Sequence, residues 1–187
     1  MKNSVLKTLI FSVFFVFAIQ FGFTQSTLQL QANPELEVSG TSSLHDWEML
    51  SDQASGKMIA ETASGKLKSI ESLEVIMPSE SIESGKRGMD KKAYEALKTK
   101  KHKSITFKLN NANKSGDTWI LDGTFKIAGV TKNVKIKAEE TSDEGTYGLK
   151  GAYEFKLTDY DITPPRAMLG TIKTGDEVKI SYDVKFK

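Results

Sequence analysis

The chain is 187 residues long and 39% apolar, with 26 basic side chains, 24 acidic ones and no Cys. The missing Cys excludes disulfides, thiolate catalysis, Cys-ligated metals and a lipidated N-terminal Cys. The small formal net charge of +2 gives no global field to steer the protein toward nucleic acid, which is therefore not an expected partner.

Even that charge belongs to the first residues. Lys2 and Lys7 precede an apolar stretch over residues 9–19, followed by Gly22-Phe23-Thr24. That layout is a secretory signal peptide over residues 1–24. The stretch is shorter than the roughly 20 residues that a spanning helix needs, so the chain left after cleavage is not expected to span a membrane. A retained N-terminal anchor is the alternative. Lys2 and Lys7 are the only charges of the leader, and six of the ten Phe leave with it, so residues 25–187 are formally neutral. Export to the periplasm is expected, with secretion to the medium as the other destination. The remainder reads as one domain, large enough to bury a core without staples.

Residues 27–31 carry a weak strand signal, and Leu36-Glu37-Val38 begins a second strand. Residues 54–60 and Leu73-Glu74-Val75-Ile76-Met77 are further strands. A helix is predicted over residues 89–98, where Met89, Ala93 and Leu97 recur at i, i+4 and i+8 and Asp90 is positioned as an N-cap. After it the period falls to two, the signature of strands buried on one face. Ile105, Phe107 and Leu109 alternate with polar residues, as do Trp119, Leu121, Phe125 and Ile127, then Val134, Ile136 and Ala138. Tyr147, Leu149, Tyr153, Phe155 and Leu157 continue the pattern, and Val178, Ile180, Tyr182, Val184 and Phe186 end it. Gly-containing breaks at 114–117, 128–129 and 142–145 read as hairpin turns, making residues 104–157 a four-strand meander. The fold class is all-β with one covering helix. Periodicity alone leaves a closed barrel and a two-sheet sandwich equally open, since both bury one face of every strand.

Chemistry-bearing residues are few. His45-Asp46 invites a metal or acid-base reading, but adjacent residues on a strand face opposite ways, and solvated turn residues are the plainer meaning. His102 stands among Lys100, Lys101 and Lys103, a poor setting for a cation. There is no G-x-S-x-G elbow and no phosphate loop. Gly145, Gly148 and Gly151 fall on a strand, where glycine marks bends or close backbone approach. No catalytic residue, metal site or cofactor is expected. Lys98 and the three lysines beside His102 read as a solvated helix end.

Four stretches, in order, resemble the YceI-like family of exported lipid-binding domains. They are Val38-Ser39-Gly40-Thr41-Ser42-Ser43-Leu44-His45-Asp46-Trp47; Met89-Asp90-Lys91-Lys92-Ala93-Tyr94-Glu95-Ala96-Leu97 running into Ile105-Thr106-Phe107; Gly123-Thr124-Phe125-Lys126-Ile127-Ala128-Gly129-Val130-Thr131-Lys132; and Asp161-Ile162-Thr163-Pro164-Pro165 through Gly170-Thr171-Ile172-Lys173-Thr174-Gly175-Asp176-Glu177-Val178. The resemblance spans residues 35–187. It implies a lipocalin-like antiparallel β-barrel of about eight strands, exported and non-enzymatic, with a long-chain isoprenoid or similar amphiphile along its axis. The first strand is poorly marked, which puts closure there in question.

On that reading the ligand is an apolar lipid held by the inward residues Phe107, Leu109, Trp119, Leu121, Phe125, Ile127, Val134, Ile136, Tyr153, Phe155, Ile180 and Tyr182. Met89 and Leu97 of the helix, with Met168 and Leu169 in a loop stiffened by Pro164 and Pro165, are expected to cover the entrance. A homodimer is compatible with this picture. Two alternatives stand beside it: a non-catalytic envelope interaction module with a filled core, and a metal-assisted enzyme at His45 and Asp46.

Overall fold

The computed structural model describes residues 24–143 and 145–187. The leader assigned to residues 1–24 lies outside them except for Thr24, which opens the first strand.

The described residues form eleven strands and one helix: β1 (Thr24–Gln29), β2 (Glu35–Ser42), β3 (Trp47–Ser51), β4 (Ser55–Ala63), β5 (Lys66–Pro78), α1 (Arg87–Leu97), β6 (Ser104–Ser115), β7 (Thr118–Ile127), β8 (Val130–Glu140), β9 (Tyr147–Lys156), β10 (Arg166–Ala167) and β11 (Ile172–Phe186). Two short 3-10 turns, Leu157–Tyr160 and Met168–Gly170, lie between β9 and β11. Ten strands form one antiparallel sheet in the order β1-β4-β5-β6-β7-β8-β9-β11-β2-β3, and β10 pairs with β11. The sheet curls into a lipocalin-like barrel. One end closes where the chain leaving β1 passes from β4 to β11: the Leu30 N–H donates to the Gly56 carbonyl (2.9 Å), while Gln29 and Lys187 exchange backbone hydrogen bonds of 2.8 and 2.9 Å. At the other end β3 is the free edge, and Leu50 and Glu83 bridge it to the chain beyond β5 with two bonds of 2.8 Å. A bridged edge offers fewer unpaired groups for foreign strands.

The meander over 104–157 is present, and its hairpins use the turns that the glycines mark. Ala128 and Gly129, both at positive φ, join β7 to β8, while Ser64 and Gly65 join β4 to β5 in the same way. Positive φ at two successive residues matches the right-handed twist of the strands. Three differences from the sequence expectation have simple causes. Among the described residues there are eleven strands rather than about eight. Of these, β3 escaped notice because Leu50, 53% exposed on the free edge, interrupts the alternation of Trp47 and Met49. The helix runs from Arg87 rather than Met89, and its N-cap is Lys86, without a side-chain cap. Asp90 lies inside the first turn, where its Oδ1 accepts hydrogen bonds from the Ser84 N–H (2.8 Å) and hydroxyl (2.6 Å). It ties down the approach to the helix instead of capping it.

The interior divides in two. One apolar cluster, around Met58, Leu67, Trp119, Leu149 and Phe186, fills the end where the hairpin turns are short. The other, around Met49, Ile82, Ile105, Ile127, Tyr160 and Ile162, is roofed at the opposite end by Met89, Ala93, Ala96 and Leu97 of α1.

Candidate ligand cavity

The closed end is sealed by polar chemistry as well as packing. Glu140, its side chain 1% exposed, pairs with Lys114 at 2.6 Å. It also accepts the Trp119 indole N–H (3.0 Å), the Leu67 backbone N–H (3.0 Å) and the Ser142 hydroxyl (2.8 Å). Burial alone would raise this carboxyl, but the four donors outweigh it and hold it below the usual carboxylate range. Lys114 also donates to the Leu67 carbonyl (2.7 Å) and stands 5.0 Å from the Trp119 ring centroid.

Above this plug the barrel is hollow. A cavity of about 440 Å³ runs between the two clusters toward the helix-covered end. Its walls are Leu73, Val75 and Met77 of β5, Ile105 and Phe107 of β6, Leu121, Phe125 and Ile127 of β7, and Ile136 of β8. Leu149 and Phe155 of β9, Val178, Ile180, Tyr182 and Val184 of β11, Leu36 and Val38 of β2, and Trp47 and Met49 of β3 complete them. Ile82, Ile162 and the apolar face of α1 form the roof. That volume falls in the range of small-molecule pockets, roughly 300–1,000 Å³. So apolar a wall gives water few partners, which suits a hydrocarbon chain.

The opening is where exposed residues join the lining: Leu44 and His45 on the β2–β3 turn, Lys86, Gly88 and Lys92 at the start of α1, and Arg166 on β10. Ser42 closes the β2–β3 turn. Its hydroxyl accepts from the Leu44 and His45 N–H groups (both 3.2 Å) and donates to the His45 carbonyl (2.7 Å). Trp47 packs over Gly40, where a Cβ would lie 2.6 Å from the indole, and donates its N–H to the Thr41 carbonyl (2.9 Å). The Ser-Ser-Leu-His-Asp-Trp stretch thus builds the rim.

Of the twelve residues expected to face a ligand, eight line the cavity: Phe107, Leu121, Phe125, Ile127, Ile136, Phe155, Ile180 and Tyr182. Four stand off it. Trp119 is drawn into the plug by Glu140. Leu109 and Val134 flank Gly123 in register, and the Phe107 ring lies over that glycine, 2.8 Å from where its Cβ would be. The ring, not the two aliphatic side chains, reaches the cavity. Tyr153 stacks between Phe125 and Phe155, at 5.7 and 5.4 Å between centroids, and does not itself line the cavity. It fills a gap: the β8–β9 ladder ends at Lys137 and Ala152, and the Tyr182 hydroxyl reaches over Gly151 to the Lys137 carbonyl (3.2 Å) at that point. A side chain at Gly151 would collide with both, so this glycine marks a close approach. Burial raises the Tyr182 and Tyr160 hydroxyls above the ordinary tyrosine range.

Among the four entrance residues, Met89 and Leu97 line the cavity, whereas Met168 and Leu169 point into solvent. Pro165, Arg166, Ala167 and Ile172 of that hairpin reach the lining in their place. Leu36, Val38, Ile105, Val178 and Val184 were legible from the same alternation that marked their neighbours. Ile82 and Ile162 sit in irregular segments, where no period points inward.

His45 and Asp46 do not combine into a site. The imidazole Nδ1 contacts the Asp46 backbone carbonyl rather than its carboxylate. Among the described residues no three His, Asp or Glu side chains converge as a metal would require. His102 packs its ring against Gly129 in the β7–β8 turn. Among the described residues no helix is long and apolar enough to cross a membrane.

Solved structures with the same fold include Burkholderia cenocepacia BcnA, with a TM-score of 0.68 and 13% identity over 81% of this chain and 95% of that one. A polyisoprenoid binding domain from Saccharophagus degradans, implicated in plant cell wall breakdown, gives 0.64 and 11% over 88% and 99%. A Campylobacter jejuni YCEI protein gives 0.58 and 19% over 99% and 97%. No curated protein matches the chain. At such identities the likenesses establish a common fold. The model of the YceI-like domain family matches residues 20–186, nearly the entire sequence, and with that match the chain belongs to the YceI-like domain family.

Proposed function

We propose that the protein is an exported, non-catalytic carrier that holds the apolar chain of an isoprenoid or similar long lipid inside the barrel. The observation that carries this reading is the cavity of about 440 Å³ walled by aliphatic and aromatic side chains. Membership of the YceI-like family supports it, as does the shared fold with a protein described as a polyisoprenoid binding domain. Each buried methylene contributes about 0.8 kcal/mol, so a chain of about ten or more offsets an association cost of several kcal/mol. The apolar leader is the ground for export and a periplasmic destination. The filled-core alternative expects no such space.

The test is native mass spectrometry of protein taken from its own envelope, with organic extraction to identify the adduct. A stoichiometric apolar ligand is expected. Phe125→Asp, which places a charge in the wall, should leave the fold intact and abolish the adduct. Protein that carries no lipid, and gains no thermal stability from excess isoprenoid supplied in detergent, would refute the carrier.

A further inference from the structure

The rim of the cavity carries a feature that holding a ligand does not require. Five large apolar side chains are exposed among the described residues, and three of them, Leu44 at 65%, Met168 at 73% and Leu169 at 109%, stand on two turns at the mouth. Those turns are tied together. The Ser43 N–H donates to the Lys173 carbonyl (2.9 Å), and the Lys173 N–H donates to the Ser43 hydroxyl (3.0 Å). The β10–β11 turn is closed by the Thr171 N–H on the Met168 carbonyl (3.2 Å), with Leu169 and Gly170 at its centre, at φ 56° and 93°. Such a turn prefers Asn-Gly. Leucine there is strained and fully exposed, and strain persists where display matters. Around the tips the charge is one-sided. Arg166 and Lys173 are the only charged side chains on the hairpin itself from 162 to 175, the acids Asp161 and Asp176 standing at its two feet, where Asp176 accepts from Thr158, and Lys86 and Lys92 line the mouth opposite. Asp46 is the one acid on the β2–β3 turn, and Lys92 also reaches Glu95 at 3.1 Å.

We propose that this rim docks on an anionic lipid bilayer. Leu44, Met168 and Leu169 enter the headgroup layer, while Arg166, Lys173 and Lys86 meet lipid phosphates. Apolar tips flanked by local cations are the general chemistry of interfacial anchors, and they need no net charge on the whole molecule. Docked in this way, the cavity mouth faces the membrane, and a lipid could enter without crossing water. The inference deepens the carrier reading but is tested apart from it, because vesicle binding and extracted lipid are independent readouts.

The purified exported protein is to be sedimented with phosphatidylcholine vesicles containing roughly one third phosphatidylglycerol, and with phosphatidylcholine alone. Binding to the anionic vesicles, weakened by salt, is expected. Met168→Asn combined with Leu169→Asn should lower partitioning roughly tenfold or more while holding or raising Tm, since Asn accepts positive φ. The emission of a Leu169→Trp variant should shift to the blue on anionic vesicles, and this probe decides the matter alone if the double variant fails to fold. Wild-type protein that ignores anionic vesicles, a folded double variant that binds unchanged, or an unshifted Trp would overturn the proposal. So would a wild-type dimer that the double variant dissociates, because the tips would then belong to a second copy.

Discussion

The two ends of the barrel are built from the same strands but do different work. At the closed end the connections are short: Ser64-Gly65, Gly116-Asp117 and the turn around Gly145. Side chains there interdigitate down to Met58, Leu67 and Phe186 at 0% exposure, and a buried carboxylate on β8 with four donors binds four strands together, β5 to β8. At the other end two connections are short, Ala128-Gly129 and the β2–β3 turn, but the rest are long: one carries the helix, and another a 3-10 turn followed by a two-strand hairpin. No residue of α1 is fully buried, and the space beneath it is open. Stability is concentrated at one end and access at the other. A barrel filled throughout would hold nothing, while one hollow throughout would lack the dispersion contacts and desolvation that keep it folded.

The contrast breaks most sharply at Trp119. Trp119→Ala removes a side chain 1% exposed from the centre of the plug and should cost about 3–5 kcal/mol, read as a shift in the urea midpoint at unchanged slope. It should leave the shape of the mouth alone. If Trp119→Ala cost less than about 1 kcal/mol, the closed end would not be the stability anchor.

Glu140 comes next. Glu140→Gln keeps the shape but loses the charge, leaving Lys114 without its ion pair. Because Lys114 is 21% exposed, it can recover water, so the expected loss is about 2–3 kcal/mol rather than the larger figure for a sealed pair. The pH dependence follows from the direction of the shift. The folded carboxyl lies below its unfolded value of about 4.3, so its contribution is complete above that value and disappears as pH falls through the lower folded one. Between pH 5 and pH 3 the wild-type midpoint should therefore fall more steeply than that of Glu140→Gln. Parallel curves would show that the donors do not favour the ionised form.

Asp90→Ala probes the other end and should cost about 1 kcal/mol, the loss of two hydrogen bonds at a half-exposed site. Hydrogen exchange is the sharper readout. Amides of α1 should exchange faster, while those of β6 and β7 beside Trp119 keep their protection, because local openings at the roof need not unfold the plug. Equal acceleration at both ends would make the molecule a single cooperative unit.

The same division governs what could be read from the sequence. Strands near the closed end carry a clean period of two, and their turns announce themselves by Gly, so β6 to β9 were legible almost to their limits, whereas β11 was legible from Val178 onward but not over its first six residues from Ile172. The roof was legible as a helix, from Met89, Ala93 and Leu97, but its start was not. Asp90 looks like a cap in sequence, yet it bonds backward to Ser84. β3 and the hairpin at 166–173 were hidden because an edge strand and an exposed tip break the alternation with Leu50, Met168 and Leu169. Which inward residues face empty space was hidden for a different reason. Parity sets direction, but it does not report how far a ring such as Phe107 reaches across a neighbouring glycine.

The smallest expected effect is the most telling, because it compares like with like. Ala96 lies on the cavity face of α1, and Ala138 is packed at 0% exposure next to Trp119 in the closed end. Leucine at position 138 must displace atoms that have nowhere to go, which typically costs about 1–3 kcal/mol. At position 96 the added carbons enter space that is already there, and leucine is as good a helix former as the site needs. Ala96→Leu should therefore change stability by less than about 0.5 kcal/mol, while its bulk shortens the cavity and weakens lipid retention. Chemical denaturation of both variants, with the lipid adduct weighed in parallel, separates the outcomes. Equal destabilisation at the two positions would mean that the space under α1 closes in solution, and the difference between the ends would then be one of exposure alone.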